Sequence, residues 1–196
     1  TGDGYAFAKS FGHTIVEPKP ALAPVVVRNF KLSDLAGIAL KDCYVSLFRE
    51  QMKLVEQKGD VGITHKGVSG PGIIDISRYF EVGDVIKINL VNCNEEHFRR
   101  QFIEAAVHKG NITIQSFLRD YDLPKSLLRQ VLAEVAIEPS EYVSNISVGK
   151  RNKFVELFCS YPLVIEHVGS FKTAMATAGG VALEEVSART MMSKLV

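Results

Sequence analysis

The apolar residues of this chain change their spacing twice along its length, and that change limits the folds open to it. Leu40 to Phe48 alternates, with Cys43, Val45 and Leu47 on one side and Tyr44 and Ser46 on the other. Val85 to Val91 alternates in the same way. A period of two puts side chains on opposite faces of a strand. From Asn94 the spacing lengthens. Phe98, Phe102, Ala105 and Ala106 recur at helical intervals, and so do Leu127, Leu128, Val131, Leu132 and Val135, then Phe154, Leu157 and Phe158. Leu163 to Val168 returns to strand. The order strand, helix, strand predicts an α+β chain, a small β-barrel or mixed sheet interrupted by a helical subdomain.

Local signals refine this outline. Asp3 is expected to cap a short helix with Tyr5, Phe7, Ala8 and Phe11 on one oily side and Gly12 at its stop. Thr14 to Glu17 reads as extended, Pro18 and Pro20 keep the chain extended, and Leu22 to Arg28 reads as a strand. Lys58-Gly59-Asp60 predicts a hairpin turn between Met52 to Glu56 and Val61 to Thr64. Ser69, with Pro71 in the first turn, predicts a capped helix running through Tyr79. Further helices are expected from Asn94, over Thr113 to Tyr121, over Pro124 to Ile137 and over Lys150 to Tyr161. Phe171 to Thr177 is a last candidate strand.

Composition narrows the function classes. The 196 residues are 46% hydrophobic and carry a formal net charge of +1, which gives no long-range field to draw in a polyanion or an acidic membrane. Cys43, Cys93 and Cys159 are far apart and form no C-x-x-C pair, so neither a disulfide framework nor a zinc site is indicated. His13, His97, His108 and His167 have no metal-ligand spacing. No apolar run approaches the ~20 residues of a membrane span, and the opening Thr1-Gly2-Asp3-Gly4-Tyr5 has no basic leader. A cytoplasmic protein is expected. Both ends fall in sequence that reads as structured, so each is expected to be a cut within a longer chain.

Three segments carry candidate chemistry. In Thr1-Gly2-Asp3-Gly4-Tyr5, glycines ahead of a helix start let a phosphate or ring reach the backbone, although an ordinary capped turn explains the same residues. Thr64-His65-Lys66-Gly67-Val68-Ser69-Gly70-Pro71 sets free backbone N–H groups beside an imidazole. The alternative there is a strand-to-helix turn with a surface histidine. Ala176-Thr177-Ala178-Gly179-Gly180-Val181 runs a strand into two glycines, which admit a flat ligand or simply make a turn. The basic run at Lys150-Arg151-Asn152-Lys153 has no interleaved aromatics and reads as a solvated helix start, so nucleic acid is not expected there.

Taken in order, T-G-D-G-Y, T-H-x-G-x-S-G-P and T-A-G-G-V followed by Thr190-Met191-Met192-Ser193-Lys194 resemble bacterial flavoproteins of the aminoacetone-oxidase-like, NAD(P)/FAD-dependent oxidoreductase family. Gly12-His13-Thr14-Ile15 and Leu123-Pro124 agree as well. Met192 departs from the acidic residue expected in the T-M-E-S-K segment, so the resemblance supports a backbone role there and not a charge-based one. The resemblance implies FAD in a full-length parent, with NADH or NADPH as candidate reductant, and a small molecule as substrate. It implies partners in the two flanking FAD-binding halves, with residues 1–13 and 179–196 at their edges. Residues 14–93 and 162–178 would form the barrel insert, and residues 94–161 its helical subdomain. It places Thr1, Gly2, Asp3 and Gly4 by the cofactor half, and Thr177, Gly179, Gly180 and Val181 by the flavin. His65, Gly67, Ser69 and Gly70 would face the same cleft, with His65 as the acid–base candidate. On this reading the chain covers the flavin, shapes the substrate pocket and does not turn over alone. The rival is a non-catalytic module that recognises protein or nucleic acid through its helices, whose charges, however, are mixed.

Overall fold

A computed structural model describes residues 2–108 and 111–195. Six strands close into an antiparallel barrel: β2 (Val25–Val27), β3 (Ala39–Arg49), β4 (Met52–Ile63), β5 (Gly67–Ser69), β6 (Val85–Asn89) and β7 (Tyr161–Val168). Around the wall the order is β2-β5-β4-β3-β6-β7, and β7 pairs with both β6 and β2. Closure leaves no free sheet edge, and alternation on each strand fills the interior. Cys43, Val45 and Leu47 of β3 and Ile86 and Ile88 of β6 point inward, as the period of two predicts.

The helical insert enters after β6 and leaves into β7. It comprises α3 (Glu95–His108), α4 (Ile114–Phe117), α5 (Lys125–Glu134) and α6 (Val148–Cys159). Three of the four helices start on a side-chain cap. Asn94 Oδ1 accepts from the Glu96 N–H at 2.8 Å, Thr113 Oγ1 from the Ser116 N–H at 3.2 Å, and Ser147 Oγ from the Lys150 N–H at 3.4 Å. The inward faces meet in an aromatic cluster in which Phe98 lies 5.8 Å from Phe154 and 5.2 Å from Tyr121 between ring centroids. One continuous apolar core runs from the barrel interior into this cluster.

Outside the barrel, β1 (Ile15–Ala21) pairs with β8 (Ala176–Val181) in a separate two-stranded sheet, against which α1 (Asp3–Ser10) packs. The barrel therefore starts at β2, and the residues just after 13 belong to this outer ribbon. Gly12, at φ +88°, ends α1, with the Gly12 N–H donating to Lys9 O and the His13 N–H to Ala8 O.

Several expectations do not hold. Lys58-Gly59-Asp60 is not a turn, because β4 runs through it unbroken. Gly59 is there for contact: a Cβ would come 2.8 Å from Gly72 of α2 (Pro71–Ile74), which packs across the strand. The hairpin lies one strand-length earlier, where Glu50 and Gln51 both take positive φ in the left-handed geometry that tight two-residue hairpins use. Ser69 is a residue of β5 and not a cap. Gly70 occupies the N-cap of α2, which ends at Ile74, and a 3₁₀ turn over Ser77–Tyr79 follows. Asp3 is the first residue of α1 behind an N-cap Gly2 and makes no cap bond, and the helix buries none of its residues.

Candidate functional site

The segments that carry candidate chemistry gather into two places. At the outer ribbon, Gly2, Asp3 and Gly4 open α1 at the surface, and Thr1 lies outside the described residues. Gly4 has nothing within 4 Å of where a Cβ would stand, so its backbone is open to close approach. Across the ribbon Thr177 and Gly179 are exposed, Val181 is half-buried and Gly180 is buried. A Cβ on Gly180 would sit 3.5 Å from the Tyr5 ring of α1, so the first and third segments do come together. Gly179 has a reason internal to the fold: at φ +88°, beside the bulge in β1, its Cβ would lie 2.6 Å from Glu17 O.

The same end is fastened by a latch that single-segment reading does not show. His13 Nδ1 and the Thr14 N–H both reach Glu185 Oε2 at 2.9 Å. Hydrogen bonds from Thr14, then the His13 imidazole, hold the Glu185 carboxyl below the usual carboxylate range. Lys194 Nζ donates to Glu184 O at 2.8 Å, and Val186 bridges Ser193, which ties the last described residues to the ribbon.

The second place is the β4–β5 turn. Thr64 Oγ1 accepts from the Gly67 N–H at 3.1 Å, and the Thr64 N–H donates to Gly67 O at 2.9 Å. These bonds hold His65 and Lys66 out at the tip, where both are exposed and His65 has no hydrogen-bond partner among the described residues. Gly67 is buried where β2 and β5 meet, and a Cβ there would stand 2.1 Å from Val25 O. At Gly70 the nearest atom is Asp60 O, at 2.7 Å. Ser69 is half-buried in β5. Close backbone packing thus accounts for three of the candidate glycines, whatever else they face. Among the described residues, no hydrogen bond or ion pair joins this turn to the ribbon.

The helical insert has a cleft of its own, about 680 Å³, lined by Cys93, His97, Gln101, Glu104, Asp120 and Tyr121 among others. Tyr121 donates to Gln101 Oε1 at 2.7 Å, and burial pushes its phenol up to about 12. Burial likewise pushes the Cys159 thiol up to about 12 and the Cys43 thiol up to about 11, so neither is a ready nucleophile. Among the described residues no cluster of three or more His, Cys, Asp or Glu side chains could hold a metal, and no helix is long and apolar enough to cross a membrane.

Residues 19–176 match a family described as HI0933-like protein barrel and H2TH domain, which is the architecture found here. The chain is 28% identical over 196 residues to a ribosomal RNA dihydrouridine synthase of Haemophilus influenzae, covering 98% of this chain and 46% of that protein. It is 26% identical over 201 residues to the protein of the same name from Escherichia coli, with 98% and 47% covered. A 3-dehydro-bile acid delta(4,6)-reductase of Clostridium scindens is 28% identical over 200 residues, with 98% and 48% covered. The chain spans about half the length of the curated relatives it matches. These names place it in a wider group than aminoacetone oxidases in particular.

Proposed function

The chain belongs to the HI0933-like barrel and H2TH family, and from that premise we propose that it is the substrate-side middle segment of an FAD-dependent oxidoreductase, lying over a flavin held mainly by flanking parts of the parent chain. The observation that carries this reading is the outer ribbon. It brings α1 and the described residues after β8 to one place, and Phe7, Phe11, Leu183 and Met191 of these segments are exposed. Apolar groups left together at such an end need a covering surface. The share of the relatives' length that this chain spans leaves more than half of each for that cover.

The residues fit the edge of a flavin site and not a whole one. Gly2 and Gly4 offer open backbone at a helix start, where a phosphate or ring edge can approach. Thr177, Gly180 and Val181 supply a flat strand beside it, and no G-x-G-x-x-G is present, so the pyrophosphate falls to the flanking halves. When bound, FAD supplies hydride transfer, with NADH or NADPH as the source of reducing equivalents. This chain would exclude water from the reacting face and orient the substrate. His65, exposed at the tip of its turn, is our candidate for the group that hands over a proton.

The relatives' names point to one reaction class. A dihydrouridine and the product of a delta(4,6)-reductase each differ from their precursor by hydrogen added across a carbon–carbon double bond. We assign the parent to that class: hydride to one carbon, a proton to the other, with the substrate reduced and the flavin oxidised. The test is a visible spectrum of the full-length protein, with anaerobic NADH and NADPH titrations. Flavin bands that bleach on titration and return with an electron-poor alkene support the reading. A colourless protein that takes up no added FAD overturns it.

A further inference from the structure

We infer that Cys93 and Cys159 are a thiol pair that hydrogen peroxide converts to a disulfide at the root of the helical insert. Both are free thiols. Far apart in the chain, they stand where it enters and leaves the insert. Cys93 comes one residue before the Asn94 cap of α3, and Cys159 is the last residue of α6 before β7. The end of β6 ties the two segments together. Asn89 Nδ2 donates to Cys93 O at 2.8 Å, and the Leu90 N–H donates to Phe158 O at 2.9 Å. Beyond them α3 and α6 stay side by side, with the Phe98 and Phe158 ring centroids 6.3 Å apart and Arg99 donating to Asn152 Oδ1 at 2.6 Å. A cleft of about 610 Å³ runs between the barrel wall and the insert. On the insert side two short runs line it, Asn92 to Glu95 and Cys159 with Ser160, so both cysteines reach the same space.

The two thiols differ in access, and that sets the order of steps. Cys93 is half-buried and Cys159 is buried, so peroxide in the cleft meets Cys93 first. Burial raises the pKa of both, and at Cys159 the Cys93 thiol adds to the rise. Thiolate is therefore scarce at neutral pH, and the first step is slow. In it the Cys93 thiolate attacks one oxygen of hydrogen peroxide, the O–O bond breaks, and hydroxide departs from a sulfenic acid. The Cys159 thiol then attacks that sulfur and passes its proton to the leaving oxygen, which departs as water. Two thiols lose two electrons, and one peroxide becomes two waters. Proximity favours this second step over attack by any thiol from solution. The high pKa that slows formation also makes each sulfur a poor leaving group, so the bridge resists exchange once made. The result is a slow, lasting clasp across the insert's root. The proposed flavin reading enters only as one source of peroxide, which reduced flavin yields with dioxygen. The site itself needs neither.

The experiment treats the full-length protein with hydrogen peroxide and no added FAD or NAD(P)H. Remaining thiols are then blocked with N-ethylmaleimide in denaturant, and unreduced peptides are mapped by mass spectrometry. The expected product is a Cys93–Cys159 peptide pair, lighter by two hydrogens than the two thiol peptides and released by dithiothreitol. Cys93→Ser and Cys159→Ser should each abolish it. Cys43, 2% exposed in the barrel, should stay a free thiol. The bridged protein should unfold at a higher urea midpoint than the reduced one, because the bridge restricts the unfolded chain across the whole insert. Mapping is done on the wild type, so a serine variant that fails to fold leaves the test intact. Cys93 recovered as sulfinic acid, a link from either residue to another cysteine, both thiols still free, or no rise in midpoint on bridging overturns the inference. Because the peroxide is added and the flavin titration is separate, the two readings can fail independently.

Discussion

At Gly67 even a methyl group has no space, since its carbon would overlap the Val25 carbonyl oxygen at 2.1 Å. That oxygen belongs to the main chain of β2, so relief requires β2 and β5 to part, which opens the barrel. Gly67→Ala should therefore cost about 2–3 kcal/mol or more, at the upper end of overpacking effects, read as a lower denaturant midpoint with an unchanged slope. Gly149 is the opposite case. It lies in the first turn of α6 with nothing within 4 Å of a Cβ, so Gly149→Ala should stabilise by roughly 0.5–1 kcal/mol. The two sites look alike in one dimension. A glycine signals that a side chain is unwelcome or unneeded, and only the neighbouring strand says which.

The junction of insert and barrel depends on one short chain of contacts. Tyr161, at the start of β7, donates to Glu134 Oε1 of α5 at 2.5 Å, and Lys31 Nζ reaches Glu134 Oε2 at 2.6 Å. Burial first, then the bond to Glu134, pushes the pKa of the Tyr161 phenol well above its ordinary value. A group whose folded value is raised contributes stability below its unfolded value, about 10 for tyrosine, and loses it as pH climbs toward the folded one. Stability should thus fall in the alkaline range above about pH 10. Absorbance at the tyrosinate band should show Tyr121 and Tyr161 ionising after the other tyrosines. Tyr161→Phe should cost about 1.5 kcal/mol, the low end for a bond to a charged acceptor, and should flatten the alkaline loss. Legibility varied at this scale. The β3 alternation and the helix starts near Asn94 and Thr113 could be read because they are local. The β3–β4 hairpin could not, because Glu50 and Gln51 take positive φ with no glycine to announce it. Gly59-Asp60 drew the turn instead, although Gly59 answers to Gly72, a distant residue.

For the molecule as a whole, the outer ribbon is the incomplete part. Prepared by itself, the chain should bind an apolar dye such as anilinonaphthalene sulfonate through the surface around Phe7 and Phe11, and the full-length protein should bind far less. Phe7→Ser with Phe11→Ser should reduce dye binding without lowering the melting temperature, since α1 buries none of its residues. A chain alone that stays dark with the dye would mean that the ribbon needs no cover. The architecture itself was legible in outline, since the changes of apolar period mark where the helices enter and leave. The closure of the sheet was not, because pairing of β7 with both β6 and β2 leaves no trace in any local pattern.

That double pairing has a consequence for how the protein comes into being. Among the described residues β7 alone joins β2 to β6, and the ribosome delivers it after the entire helical insert. Until then the nascent chain presents two unpaired strand margins, at β2 and at β6, with the greasy interior of the half-built wall accessible between them. Bringing β7 back across so long a connection is slow unless the intervening helices have first compacted and drawn its two ends together. Synthesis therefore has a vulnerable interval that ends with residue 168, and a pause or truncation before that point should leave a product for chaperones and proteases, even though the five strands from β2 to β6 could already have paired.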